Sequence, residues 1–268
     1  MLPTRRRALK LLENRHLLTL LLAGAFLWSL ASVNWGGSIV HSGGGSAARD
    51  LFMALFPPEL SPQFLRLGLM ASWQTVAYAV AGITLALLIG FPLGVIASGI
   101  GFGSSRWRLP AILGTRVFLG GLRAIHELVW AVLFVAAIGL SPLAAILALG
   151  LPYGGILGRI YAELLQDVPS EPLRALRAAG ASPLRVFLYG RLPMALPDMV
   201  GYTFYRFECA IRAAAIMSFV GIRGLGYEIQ LSLNDLLFSQ VWTLLLFLVV
   251  LVVLVDLWSG WVRRSLLA

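Results

Sequence analysis

Long apolar runs alternate with short polar gaps along this chain. Six runs approach or pass the roughly 20 mostly apolar residues that a helix needs to cross a bilayer: Leu17–Val33, Gly68–Ile100, Pro110–Leu140, Pro142–Leu165, Pro193–Val220 and Phe238–Val262. The second, third and fifth exceed that minimum, so tilt, kinks or extension beyond the bilayer are expected. Pro92, Gly120–Gly121 and Pro197 are the breakers near or within them. The pattern predicts an all-α polytopic membrane protein with about six transmembrane helices.

The arginines orient these spans. Arg5, Arg6, Arg7, Lys10 and Arg15 precede the first run, Arg106 and Arg108 separate the second from the third, Arg159, Arg174, Arg177, Arg185 and Arg191 lie around the fourth gap, and Arg263–Arg264 follow the sixth. Alternation places all of these on one side, leaving mainly Arg49, Arg66 and Arg223 on the other. Positive-inside counting then puts both termini in the cytoplasm. The basic start and Ala31-Ser32-Val33 also suit a cleaved signal peptide, and Thr4–Lys10 faintly resembles a twin-arginine signal. Cleavage would leave an odd number of spans and put the arginine-rich 159–191 segment outside, so the first run is expected to stay as an anchor.

Composition narrows the class. Of 268 residues 59% are hydrophobic and 12% charged, whereas soluble domains carry about a quarter charged residues. The net charge of +9 does not point to nucleic acid, because it falls in the gaps between apolar runs. Lys10 is the only lysine, which excludes a P-loop and its phosphate-binding lysine. Any ATP chemistry must come from another chain. Cys209 is alone and forms no disulfide within the chain.

The chain divides into a basic N-terminus with the first span (1–33), an outer linker (34–67), a core transmembrane domain (68–262) and a short tail (263–268). The outer segment is rich in Gly, Ser and Pro and reads as a flexible spacer or lid with one apolar patch, Leu51–Phe56. The core contains a structured loop, 166–193, more elaborate than a turn requires. Ser170 before Glu171-Pro172 and Ser182 before Pro183 look like capped helix starts. Gly180 is placed where a helix ends with positive φ. Two short helices with a bend are expected, with Leu173 and Leu176 on one face and Arg174 and Arg177 turned away. A loop of this kind either lies on anionic headgroups or docks into a groove of a cytoplasmic partner.

Charges also fall inside the apolar runs: Arg123, His126 and Glu127 in the third, Arg206, Glu208 and Arg212 in the fifth. An ionisable group at bilayer depth costs at least about 2.5–3.5 kcal/mol and needs a partner or water. Arg123 and Glu127 are at i,i+4 spacing, and Glu208 is placed to reach Arg212 or the third span. These residues are either interhelical ion pairs or the lining of an anion path, with Arg212 or Arg123 as the path residue, since guanidinium forks suit oxyanions. Gly221, Gly224 and Gly226 lack Rossmann spacing and read as a tight outer turn with close backbone approach, part of an outer gate. His126-Glu127 is not HExxH, because Trp130 stands in the second histidine's place, so no metal site is expected.

Around Gly180 the register resembles the cytoplasmic loop of permease subunits of ATP-binding-cassette (ABC) importers: EAA, three residues, Gly, nine residues, Ile, one residue, Leu-Pro. Ala175, Leu176, Gly180 and Leu192-Pro193 fit, while Arg174 replaces the acid and Gly190 the isoleucine. LRALRAAGASPLRVFLYGRLP, YTFYRFECAIRAAAIMSFVGIRGLGYEI and RAIHELVWAVLFVAAIGLSP together resemble phosphonate-type importer permeases over roughly Ser72 to Ile229. His126, where that family usually has proline, and Ile222-Arg223, where it has small residues, are further departures.

The resemblance implies a type I importer permease fold in the bacterial cytoplasmic (inner) membrane. It implies alternating-access transport of phosphonate or a related oxyanion (phosphite, phosphate) without catalysis by this chain. It implies a second permease copy as homodimer partner, two cytoplasmic ATPase subunits that carry ATP and Mg, a periplasmic substrate-binding protein, and no cofactor bound here. Glu171, Leu173, Arg174, Leu176, Arg177, Gly180, Ala181, Ser182 and Pro183 would couple to the ATPase, with Gly180 a hinge or close-contact point. Arg123, Glu127, Arg206, Glu208, Arg212, Gly221, Gly224 and Gly226 would form the path or gate. A secondary transporter should show internal repeats and broken-helix ion sites, and a membrane enzyme needs a nucleophile–base or metal cluster. Neither signature is legible.

Overall fold

A computed structural model describes residues 15–33, 35, 44–100 and 106–267. Every regular element among them is helical. The basic residues before Arg15 and the Ser42-Gly43 end of the outer spacer lie outside the described residues. Residues 1–53 and 54–268 form separate units.

The first unit holds α1 (Arg15–Ser32) and α2 (Gly44–Met53). α1 is apolar nearly all round rather than amphipathic, the pattern of a helix surrounded by an apolar medium. Its apolar stretch, 17 residues from His16 to Ser32, is shorter than the other candidate spans. α2 lies within the segment expected to be a flexible linker, so part of that linker is a formed helix.

The second unit is a bundle of α3 (Pro62–Ser98), α4 (Arg108–Ala124), α5 (Glu127–Ile138), α6 (Pro142–Asp167), α9 (Leu192–Met217), α10 (Leu225–Asn234) and α11 (Phe238–Leu267). The short α7 (Ser170–Ala178) and α8 (Pro183–Val186) join α6 to α9. α3, α6 and α11 are each long and apolar enough to cross a membrane. Two bent combinations pass the same test: α4 with α5 at 84°, and the 183–220 helix with α10 at 42°. Three to five spans result among the described residues, where six runs were expected.

α6 is the central helix, contacted by α3, α4, α5 and α9. It starts where Ser141 accepts a hydrogen bond from the Ala144 N–H at 3.3 Å, with Pro142 in the first turn where its missing N–H costs little. α3 packs along it through small residues four apart, Gly82, Ala86, Gly90 and Gly94, which meet Gly154 and Gly158 and the side chains of Leu149, Leu157 and Tyr161, while Gly150 in turn receives Leu85. A Cβ on Gly90 would lie 2.9 Å from the Gly154 carbonyl oxygen and 3.0 Å from the Gly158 nitrogen. At Gly90 the two backbones come into direct contact, the approach that drives helix association where lipid is as apolar as leucine.

The expected single crossing at 110–140 is broken. The break falls at Ile125–His126, in extended conformation, rather than at Gly120–Gly121. His126 caps α5, its Nδ1 accepting from the Leu128 N–H at 3.2 Å, and the Trp130 indole N–H donates to the Leu122 carbonyl at 3.2 Å. One N–H and one carbonyl freed by the break are thus satisfied by side chains. Pro92, Pro152 and Pro197 lie inside helices that run through them. Arg263–Leu267, expected as a tail, continue α11.

Candidate functional site: a two-arginine cavity, a glycine turn and the α7–α8 loop

α4, α6 and α9 border an open cavity of about 530 Å³ lined by Arg123 from the last turn of α4, Ile156 and Ile160 from α6, and Tyr202 and Arg206 from α9. Among the described residues, two guanidiniums and no carboxylate line it. Arg206 Nε and a terminal nitrogen donate to the Tyr202 hydroxyl at 2.9 and 2.6 Å. Its carbon lies 5.2 and 5.4 Å from the Tyr202 and Tyr205 ring centroids. Stacking on aromatic faces holds a cation without neutralising it. The carbonyl end of α4 favours the Arg123 charge. The site therefore suits an anion of moderate size.

The other intramembrane charges part company. Arg123 and Glu127 are not i,i+4 neighbours on one helix, because the chain breaks between them. Glu127 instead sits 3.7 Å from His126 Nε2. Glu208 reaches neither Arg212 nor α4–α5: it accepts from Arg263 at 2.8 Å and from Ser259, both on α11. Arg212 is exposed and donates to the Cys209 sulfur at 3.7 Å. It is not among the residues that line the Arg123–Arg206 cavity.

The glycine turn has the close backbone approach its spacing predicted. Gly221 has φ 100° and its N–H donates to the Ser218 carbonyl at 3.0 Å. A Cβ on Gly226 would lie 1.9 Å from the Ala215 carbonyl oxygen, so no side chain fits. The fully buried Thr75 of α3 fixes the turn: its hydroxyl donates to the Ala71 carbonyl at 2.9 Å and accepts from the Leu225 N–H at 3.0 Å.

The α7–α8 loop is rigid. Gly180, φ 82°, ends α7 in a Schellman turn: its N–H donates to the Arg177 carbonyl at 2.9 Å, and the Ala181 N–H to the Leu176 carbonyl at 3.1 Å. The expected hydroxyl caps are not made. Pro169 takes the capping position of α7, leaving Ser170 one residue inside, and Ser182 caps α8 without a side-chain hydrogen bond. The second helix extends without a break through a π-helical turn (Phe187–Arg191) into α9. Leu173 is buried and, with Leu176, packs over Gly190, where a Cβ would meet their methyl groups at 2.9 and 2.7 Å. Arg191 donates to the Leu165 carbonyl at the end of α6. Glu171 and Arg174 face outward and pair at 3.3 Å, and Arg177, Gly180, Ser182 and Pro183 are also exposed. A Cβ on Gly180 would meet nothing within 4 Å.

Three features escaped the sequence reading: the glycine ladder, the role of Thr75, and Arg263 as partner of Glu208. The first was present as small residues every four positions from Gly82 to Gly94 and from Gly150 to Ala162.

Residues 90–267 match the family described as binding-protein-dependent transport system inner membrane component. The chain is 35% identical over 192 residues to the phosphite transport system permease protein PtxC of Stutzerimonas stutzeri, covering 71% of this chain and 68% of that one. It is 30% identical over 217 residues to the phosphate-import permease protein PhnE of Mycolicibacterium smegmatis, covering 80% of this chain but only 40% of that relative. Among solved structures, the inward-facing methionine ABC transporter MetNI superposes with a TM-score of 0.65 at 24% identity, over 77% of this chain and 99% of that one. The bundle thus has the type I ABC importer permease fold, and the chain belongs to the family of binding-protein-dependent transport system inner membrane components.

Proposed function

We propose that this chain is the membrane-spanning subunit of an ATP-driven importer for a phosphorus oxyanion: phosphonate, phosphite or phosphate. The observation that carries the reading is the convergence of Arg123 and Arg206 on one cavity without a carboxylate. Guanidinium forks bind tetrahedral oxyanions in a bidentate way. The phosphite and phosphate permeases that resemble this chain support the substrate class.

The chain supplies geometry, not hydrolysis. The outward side of α7 and the Schellman turn, with Glu171, Arg174, Gly180 and Ser182 exposed, is the surface a separate ATPase would grip, with ATP and Mg held in that partner. Arg177 and Pro183, also exposed, border the space between the loop and the end of α3. Gly180, open on its outer side, leaves room for close approach by that partner. The family description implies a substrate-binding protein that delivers cargo, and the turn at Gly221, Gly224 and Gly226 is the outer gate it would meet. A second copy of the chain completes the path, with both termini in the cytoplasm of a bacterial cell as the arginine distribution requires. Closure of the ATPases draws the paired loops together and turns the bundles from inward-open to outward-open.

Uptake of radiolabelled phosphite, phosphate and methylphosphonate into proteoliposomes carrying the whole complex tests this. Arg206→Gln is expected to lower uptake about 10- to 100-fold, the worth of charge-assisted hydrogen bonds, while the complex still assembles on size exclusion. Undiminished uptake overturns the anion path, and uptake without ATP overturns the importer.

A further inference from the structure

A second basic cavity lies away from the Arg123–Arg206 site. It occupies about 620 Å³ between the end of α3 and the α7–α8 loop, and Arg108, Arg177 and Arg191 all line it. Arg108 and Arg123 stand at opposite ends of α4, so by the helix rise the two cavities are about 22 Å apart. No carboxylate lines this cavity, and none of its three arginines has a salt bridge among the described residues. The charges oppose one another: Arg177 acts unfavourably on the half-buried Arg191. Arg108 is the first residue of α4, so the positive end of that helix's dipole adds to its own charge. Ile100, Val186 and Phe187 give the cavity an apolar wall beside the arginines. Three arginines line one cavity and none has a carboxylate partner among the described residues, so an anion there meets no competing counter-ion.

We infer that this cavity is a binding site for a phosphate group that bridges the α7–α8 loop to the helical bundle. Arg177 comes from the loop, Arg108 from α4, and Arg191 from the turn that leads into α9 and is already bonded to the end of α6. One tetrahedral anion accepting from all three ties together elements that have no side-chain bond between Arg108 and Arg177. The phosphate has two sources, the headgroup of an anionic phospholipid or a free phosphate ion. The inference does not depend on the transport reading, because binding is measured on the chain alone.

The test uses the purified full chain in a neutral maltoside detergent at constant ionic strength. In one arm inorganic phosphate is titrated against chloride while thermal unfolding is followed. In the other, native mass spectrometry counts phosphatidylglycerol against phosphatidylcholine retained after mixed-micelle exchange. A saturable upward shift with phosphate assigns the free anion, and selective retention of phosphatidylglycerol assigns the lipid. In either case Arg108→Gln combined with Arg177→Gln, both at exposed positions, is expected to weaken binding by about tenfold or more for each guanidinium lost. The single variant Arg108→Gln should fall between. Absence of both signals in the unaltered chain overturns the inference, as does equal binding by the double variant.

Discussion

The α3–α6 seam and the α4–α5–α9 side of the bundle are built on opposite rules. In the seam every glycine is filled against: Gly90 meets the backbone at Gly154 and Gly158, and Gly82 and Gly150 receive Leu149 and Leu85 of the facing helix. Across α4 the glycines face nothing: Cβ atoms on Gly114, Gly120 and Gly121 would meet no atom within 4 Å. There the helix breaks at Ile125–His126, and Arg123 and Arg206 line a cavity. Backbone contact at Gly90 and close-packed leucines around it leave little in the seam that can repack. The difference teaches where motion and charge belong in this fold. The dry seam carries the load, and the side with space holds the cations.

The comparison breaks most sharply at glycine. Gly90→Leu is expected to cost about 3 kcal/mol or more by overpacking backbone against backbone, and to remove the monodisperse species on size exclusion in detergent. Gly121→Leu, on the open side, should cost nothing, or gain up to about 1 kcal/mol from helix propensity. Equal thermal unfolding of the two variants would show that the seam does not carry the bundle.

The ion pair that links α9 to α11 gives the next effect. The Glu208 side chain is 10% exposed and that of Arg263 is 31% exposed. Glu208→Gln leaves Arg263 facing a neutral amide and should cost about 2 kcal/mol, below the range for fully buried pairs because Arg263 partly reaches water. Glu208→Gln with Arg263→Gln should recover part of that loss in a double-mutant cycle. Additive losses would mean that the pair makes no mutual contribution, and uptake lost without any change in stability would return Glu208 to the path.

These outcomes bear on what was legible. The apolar runs and their gaps announced the bundle, because hydrocarbon imposes a length that composition records. Gly180 announced its Schellman turn, and the spacing of Gly221, Gly224 and Gly226 its close turn, because both are local backbone demands. The charge partners were not legible. Glu208 lies 55 residues from Arg263, a distance that no periodicity encodes. The third run looked continuous because Ile125 and His126 carry no strong breaker, and only the cap on Leu128 and the Trp130 bond to Leu122 reveal why the chain opens there. The basic cavity escaped because its arginines come from three separate elements, each of which reads alone as a topological charge.

The smallest effect concerns how the loop meets the bundle. Permeases that this loop resembles carry alanine where Leu176 stands and isoleucine where Gly190 stands. In the structure the larger but similar Leu176 compensates for the missing side chain at Gly190, since Leu173 and Leu176 fill the space above it. Gly190→Ile should therefore cost about 1–2 kcal/mol, because flexible leucine ends give way more readily than backbone. Leu176→Ala alone should cost a similar amount by opening a cavity. Together the changes should restore most of the stability, measured by thermal unfolding of the purified chain. The same pair of variants separates packing from coupling. If the double variant regains stability but the reconstituted complex hydrolyses ATP without uptake, the leucine face sets the angle of the lever as well as its anchorage. If the losses simply add, Leu176 and Gly190 do not share one space, and the loop is held instead by Leu173 and the Arg191 bond to Leu165.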